Sequence, residues 1–303
     1  MLIKSRYEPK ELKILRALKN RMDLSASDLN YYQNLDKGFK GELAFDERLK
    51  NLSDDWLILN DLLLEQNKTH FQVDTLLISQ DTNYLFEIKY FDVDLYIEDD
   101  RWYTVATTEI KNPINQLSRT ESLLRRQLQN LGLHAPIESY VVLMNPESYI
   151  YKAPRNLPII FPAHLGRLLN KLHTKSSKLN AKHLKLANQL VSLHIKESLY
   201  TNIPPYTYEQ LEKGISCLSC DSFKLTVVDE KLLCNVCGNK ELVTPAILRN
   251  VEEFQYLFPD RKITTNTIHE WCKVIGSKKT IRRVLANNFK LLNKGRSSYY
   301  VKM

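Results

Sequence analysis

Acidic residues are missing from two long parts of this 303-residue chain. Ser148 to Lys196 contains no Asp or Glu, and Gly276 to Met303 contains none while carrying eight Lys or Arg. No apolar run is long enough to span a bilayer, which argues against a membrane-embedded helix and a membrane partner. The opening Met1-Leu2-Ile3-Lys4-Ser5-Arg6 lacks a sustained apolar signal region, so a cytoplasmic location is expected. There is no internal repeat and no low-complexity tract, which excludes solenoid arrays. Cysteine is scarce, with five in the chain. In a reducing compartment these read as metal ligands or free thiols rather than disulfides. What remains is a chain with 43% hydrophobic residues, enough for a core and for more than one domain. Its net charge of +8 favours polyanionic partners. The oligomeric state is not legible.

Apolar spacing predicts helices over residues 9–22 and 36–50. Strands are expected at 56–63, 71–79 and 84–90, followed by a charged, aromatic stretch from Asp92 to Tyr103 that suggests an extra hairpin. Asn112-Pro113 reads as a helix start, because Asn caps and Pro suits the first turn. Gly132 can end that helix. Ser139 to Met144 reads as another strand. A basic helical region follows, with Leu184, Ala187, Val191 and His194 at helical spacing, and Ile203-Pro204-Pro205-Tyr206 reads as a linker. The boundaries expected are a helical extension (1–35), an α/β domain (36–145), a basic helical extension and linker (146–214), a cysteine module (215–242) and a basic tail (243–303).

Two strand candidates carry unexpected charge: Gln72-Val73-Asp74 and Glu87-Ile88-Lys89. Side chains alternate along a strand, so Glu87 and Lys89 share a face, and Asp74 is expected on one face with Leu76 and Ile78. Burying such charges without partners is costly. A divalent cation shared by Asp74 and Glu87, with Lys89 beside the reacting group, accounts for them. A strand-face salt bridge for Glu87 and Lys89, with Asp74 capping a turn, is the alternative. Glu42 falls on the stripe of Phe45 and Leu49, and Gln116 lies one turn into the Asn112-Pro113 helix; either can also be a solvated helix position.

Lys40-Gly41-Glu42, Gln72-Val73-Asp74, Phe86-Glu87-Ile88-Lys89 and Asn112-Pro113-x-x-Gln116 together resemble the successive motifs of the NERD (nuclease-related) domain, over about residues 36–145. Asp74 with Glu87-x-Lys89 is also similar to the looser PD-(D/E)xK pattern. The resemblance implies a restriction-endonuclease-like αβββαβ core with a mixed sheet. It implies Mg²⁺ or Mn²⁺ on Asp74 and Glu87, with the carbonyl of Ile88 as a further ligand. Lys89 would orient or help deprotonate the attacking water. Glu42 would hold a metal-bound water or a second ion, and Gln116 would position the nucleophile or a phosphate oxygen. Asn83-Tyr84 and Tyr90-Phe91 depart from the family's usual glycine and polar pair, which bears on substrate access.

Cys217-x₂-Cys220 and Cys234-x₂-Cys237 resemble the two knuckles of a zinc ribbon, with Zn²⁺ filling four thiolates in a structural role. A pair of redox motifs is the alternative. Cys272, beside Trp271, reads as a packed thiol. In the tail, Thr264 to Lys273 and Lys278 to Asn288 read as helices around a Gly276-Ser277 turn. Tyr299-Tyr300-Val301 reads as a closing strand, and the whole is similar to a winged-helix unit. Lys278, Lys279, Arg282 and Arg283 would face DNA, or be only a solvated face. His164, His173, His183 and His194 show no metal spacing. The function expected is a Mg²⁺- or Mn²⁺-dependent nuclease hydrolysing DNA, with DNA preferred over RNA. The alternatives are a non-catalytic DNA-binding factor and an RNA-processing nuclease.

Overall fold

The computed structural model describes residues 1–175, 177–196, 201–293, 295 and 298–302. Lys294 and Arg296, two of the cations of the acid-free tail, lie outside the described residues. In chain order the elements begin β1 (Leu2–Lys4), α1 (Lys10–Arg21), α2 (Ala26–Leu49), β2 (Leu57–Gln66), β3 (Thr69–Ile78) and β4 (Asn83–Lys89). Next come β5 (Leu95–Glu98), β6 (Arg101–Thr104), β7 (Glu109–Ile110), α3 (Pro113–Asn130), β8 (Ile137–Leu143), β9 (Ile150–Tyr151) and β10 (Ile159–Ile160). The chain continues through α4 (Pro162–Thr174), α5 (Ala181–Ser192), β11 (Leu225–Val228), β12 (Lys231–Cys234) and β13 (Lys240–Leu242). It closes with α6 (Val243–Leu257), α7 (Thr265–Cys272), α8 (Lys278–Asn288), β14 (Phe289–Leu292) and β15 (Tyr299–Lys302). None of these helices is long and apolar enough to cross a membrane. Contacts divide the chain into two compact units, Met1–Glu8 with Asn34–Tyr200, and Pro9–Gln33 with Thr201–Met303.

The first unit is built on a mixed sheet in the order β1-β2-β3-β4-β8-β10. β2, β3 and β4 form antiparallel pairs, while β1, β8 and β10 add in parallel. The order helix, three strands, helix, strand from α2 to β8 is the one expected. Leu117, Leu124 and Leu128 of α3 and Leu186, Ala187 and Leu190 of α5 share a core with Leu57, Val73 and Leu85. Phe45 and Leu49 of α2 and Leu165, Leu168 and Leu172 of α4 share another with Ile58, Leu77 and Phe86. Both faces of the sheet are thus covered, which is why its strands read as near-continuous apolar runs. α3 starts as expected: Oδ1 of Asn112 accepts the N–H of Ile114 at 2.9 Å, and Pro113 opens the first turn. The expected hairpin is larger than anticipated. β5 and β6 turn through Asp99 and Asp100, both at positive φ, and join β7 and β9 in a four-stranded sheet. Leu95, Ile97 and Trp102 form its own small core.

The strict alternation expected around Asp74 does not hold. Phe71, Val73, Leu76 and Ile78 all join one core cluster, so two residues, Asp74 and Thr75, intervene where a regular strand has one. Across from them Asp61 adopts φ 55, and Leu59 and Leu62 likewise fall in that same core. The irregularity in both strands turns Asp74 away from the side it would share with Leu76 and Ile78.

The second unit packs α1, α6, α7 and α8 around Trp271, with Ile14, Leu18, Ile247, Phe254, Ile281 and Leu285 fully or almost fully buried. Arg21 is buried among them. Its guanidinium donates to the carbonyls of Glu212 and Gly214 at 2.6 and 3.0 Å, pairs with Glu253, and lies 4.0 Å from the Trp271 ring centroid. β11, β12 and β13 form an antiparallel sheet. β14 and β15 form a hairpin, and Ile263 bridges to Tyr300.

Candidate functional site

β3 and β4 pair from Ile78 opposite Asn83 to Thr75 opposite Phe86. Beyond that point the N–H of Ile88 donates to Oδ2 of Asp74 at 2.8 Å, so a carboxylate stands where a ladder carbonyl would. β4 stays paired with β8 on its other side, Glu87 opposite Val141 and Lys89 opposite Leu143. Lys89 Nζ lies 2.8 Å from Oε1 of Glu87. Gln116 of α3 completes a triangle: its Nε2 donates to Oε1 of Glu87 at 2.5 Å, and its Oε1 accepts from Lys89 Nζ at 3.0 Å. The structure therefore joins Glu87, Lys89 and Gln116 directly. The Glu87–Lys89 salt bridge anticipated as an alternative is present, as one edge of this triangle.

Glu42 reaches the same neighbourhood from α2. Gly41 explains how closely: a Cβ built there would lie 3.0 Å from Cβ of Tyr90, the residue after β4, so a larger side chain would push the helix off. Glu42 is bound by Arg6, whose Nη1 donates to Oε2 at 2.8 Å. The same guanidinium donates through Nε to Asp46 at 3.0 Å and through Nη2 to the carbonyl of Asp74 at 2.7 Å. Arg6 and Asp46 were not foreseen. Asp46 left a signal, standing one turn from Glu42 on the same helix. Arg6 left none, because β1 carries it in from a distant part of the sequence. Nearby, Lys4 donates to the carbonyls of Asn60 and Asp61, and its Nζ lies 3.9 Å from Oδ2 of Asp61.

This crowding raises Glu42, Asp46, Asp74 and Glu87. Burial, and then the charge of Asp74, raises Glu42 to about 8, although Arg6 pulls it down. Burial and the same neighbour raise Glu87 to about 7 against the pull of Lys89. Asp74 is raised by burial, opposed by Lys89, the Ile88 N–H and Arg6. Arg6 itself is raised: burial opposes its charge, but Glu42 and Asp46 outweigh it. Between the ordinary glutamate value of 4.5 and these folded values the native state holds more protons than the unfolded chain. The protein free of divalent ions should therefore lose stability as pH rises from about 5 to about 8. Melting temperatures across that window check this, and Glu87→Gln should flatten the slope.

Hard carboxylate oxygens crowded together without enough cations are the donor chemistry that suits Mg²⁺ or Mn²⁺. Such a cluster at the parting of two sheet strands is what a nuclease-related domain would present. In particular, residues 37–144 match the model of the NERD family, described as a nuclease-related domain. Arg6 and Lys4 lie outside the matched segment. No curated protein and no solved structure matches the chain.

The four paired cysteines converge in the second unit. Their sulfurs all lie within 4.8 Å of one another, with Cys217 and Cys237 at 3.6 Å and Cys220 and Cys234 at 3.6 Å. The two knuckles are built alike. Asp221 and Gly238, each just after a second cysteine, take φ 59 and 75, and their N–H groups return to the carbonyls of Cys217 and Cys234. N–H groups of Cys237 and Val236 favour the Cys234 thiolate and lower it to about 6. Cys220, despite an N–H from Ser222, is raised to about 12 by sharing protons with Cys237 and the other thiols. Such a set suits one tetrahedral Zn²⁺. Cys272 is buried in the core of the unit, as expected.

Ser277 caps α8, accepting the N–H of Thr280. Ile281, Val284 and Leu285 are buried, while Lys278, Lys279, Arg282 and Arg283 are exposed. Lys278 donates to Oδ1 of Asn266 at 3.0 Å. Among the histidines, His194 Nδ1 accepts the N–H of Leu63 and His183 Nδ1 that of Asn180, which are structural bonds.

Proposed function

We propose that this chain is a metal-dependent nuclease that hydrolyses DNA. The observation that carries the reading is the meeting of Asp74, Glu87, Lys89 and Gln116 where β3 and β4 part, inside the segment that matches the nuclease-related family. Asp74 and Glu87 would hold Mg²⁺ or Mn²⁺. When bound, a divalent cation supplies positive charge against the scissile phosphate and makes nearby water more acidic. Lys89, tethered by Glu87 and Gln116 yet a quarter exposed, would direct its ammonium at the phosphate and orient the attacking water. Gln116 would hold Lys89 and Glu87 in register and accept from the nucleophile. Incubating supercoiled, linear and single-stranded DNA with the protein and Mn²⁺ tests this. Metal-dependent products support it, and none from folded protein turns the reading to a DNA-binding factor or to RNA.

The second unit would hold the substrate. The cysteine module reads as a zinc ribbon with Zn²⁺ in a structural role. The α7–turn–α8 arrangement, followed by the β14–β15 hairpin, reads as a winged-helix module with α8 toward the groove. Changing Lys278, Lys279, Arg282 and Arg283 together to Ala should weaken DNA binding at every sequence. It should also flatten its salt dependence, each lost phosphate contact lowering the log–log slope by about one. Fluorescence anisotropy over a salt series reads both, and an unchanged slope would remove α8 from the interface.

A further inference from the structure

The geometry points to Arg6 as a built-in cation that fills the place of a second metal ion and holds this site to one. This inference rests on the metal-site reading above. Three observations carry it. The guanidinium, 1% exposed, is shared by Glu42, Asp46 and the carbonyl of Asp74, so the carboxylates on the α2 side already have a positive partner. The charges then close on a single ion. Lys4 and Asp61 pair and cancel, though each also acts on Asp46, while among the described residues Arg6 and Lys89 are the cations paired with Glu42, Asp46 and Glu87 and acting on Asp74. With all four acids ionised, the state a bound cation would draw them into, four negative and two positive charges leave two, which one divalent cation neutralises and two would overshoot. Finally, the groups that Arg6 joins lie on separate elements, the carboxylates of Glu42 and Asp46 on α2 and the main-chain carbonyl of Asp74 on β3, as the ligands of a bridging ion would. Arg6 is thus a positioning residue: it fixes Glu42 beside the metal rather than on it. It also makes Met1–Glu8, which lies outside the family match, an integral part of the site.

Calorimetric titration of the full chain with Mn²⁺, its thiol site saturated with Zn²⁺, tests this. Wild type should bind one Mn²⁺. Arg6→Met should bind a second, about tenfold or more tighter than any second binding in wild type, because two half-buried carboxylates have lost their cation. Without Mn²⁺ it should melt below wild type, and the gap should narrow as Mn²⁺ is added. Arg6→Lys keeps a charge and should still bind one ion. The triple variant Arg6→Met, Glu42→Gln, Asp46→Asn removes the cation together with its acids and should also bind one. A single variant that fails to fold while the triple folds supports the assignment. Two comparable Mn²⁺ sites in wild type, or one site in folded Arg6→Met, overturns it while leaving the metal reading intact. Wild type that binds no Mn²⁺, or binds it equally well after Asp74→Asn, overturns the metal reading and this inference with it.

Discussion

Asp74→Asn is expected to lower metal-dependent DNA cleavage by about a thousandfold or more, with the fold kept. Asp74 has two roles, a hydrogen bond and a charge. Its Oδ2 accepts the N–H of Ile88, which the parting of β3 and β4 leaves without a strand partner. Asn retains an oxygen for that bond and removes the charge. A loss of cleavage in Asn therefore reports on the charge alone. Asp74→Ala leaves the buried N–H unsatisfied as well, which costs about 1–3 kcal/mol of stability. The two variants should match in activity and differ in melting temperature, Ala below Asn. Lys89→Ala should lower cleavage by about 10²–10⁴-fold, the range for removing one electrostatic or acid–base group. Because Lys89 is the cation paired with the buried Glu87, its loss should also lower the melting temperature of the ion-free protein. Measured rates on supercoiled DNA with Mn²⁺, beside thermal melts, check all three. Cleavage that survives in both Asp74→Asn and Lys89→Ala would place the chemistry elsewhere.

How far the sequence revealed this depends on whether a signal is local. The α3 start was legible because Asn112-Pro113 is a cap and a first turn in adjacent residues. Strands β2 to β4 were legible because both faces of the sheet are buried. Glu87 and Lys89 were legible as charges in an apolar run. The first ten residues of α2 were not anticipated, although Ser25 offers the cap: its Oγ accepts the N–H of Asp28 at 3.1 Å. α6 went unforeseen for the opposite reason, since no side chain caps it. The break at Asp74 and Thr75 was hidden because alternation of apolar residues on both sides continues, only shifted by one. Arg6 was beyond sequence reasoning altogether. Its meaning arises from a parallel edge strand, and parallel pairing joins residues that share no local pattern.

Removing zinc should unfold the cysteine module and loosen the helix that follows it. The sheet β11–β13 is small, with most of its side chains exposed, and Leu232 is its main contribution to the core of the second unit. So little apolar area cannot order three strands, and a Zn²⁺ held by the four cysteines would supply the difference, typically ~10–16 kcal/mol of apparent binding free energy. The effect should spread along specific contacts. Arg249 of α6 donates to the carbonyl of Ser216 at 2.8 Å and pairs with Glu241 of β13 at the same distance. Loss of the module would leave that guanidinium half-buried without its partners and expose Leu232. In Cys217→Ser, zinc content by elemental analysis should fall from about one per chain toward zero. Amide protection should vanish from Leu225 to Leu242 and weaken in the first turns of α6. The buried N–H groups of β2 to β4 should keep theirs. Full protection of β11–β13 in protein shown to be free of zinc would mean that the cysteines are not what holds the module together.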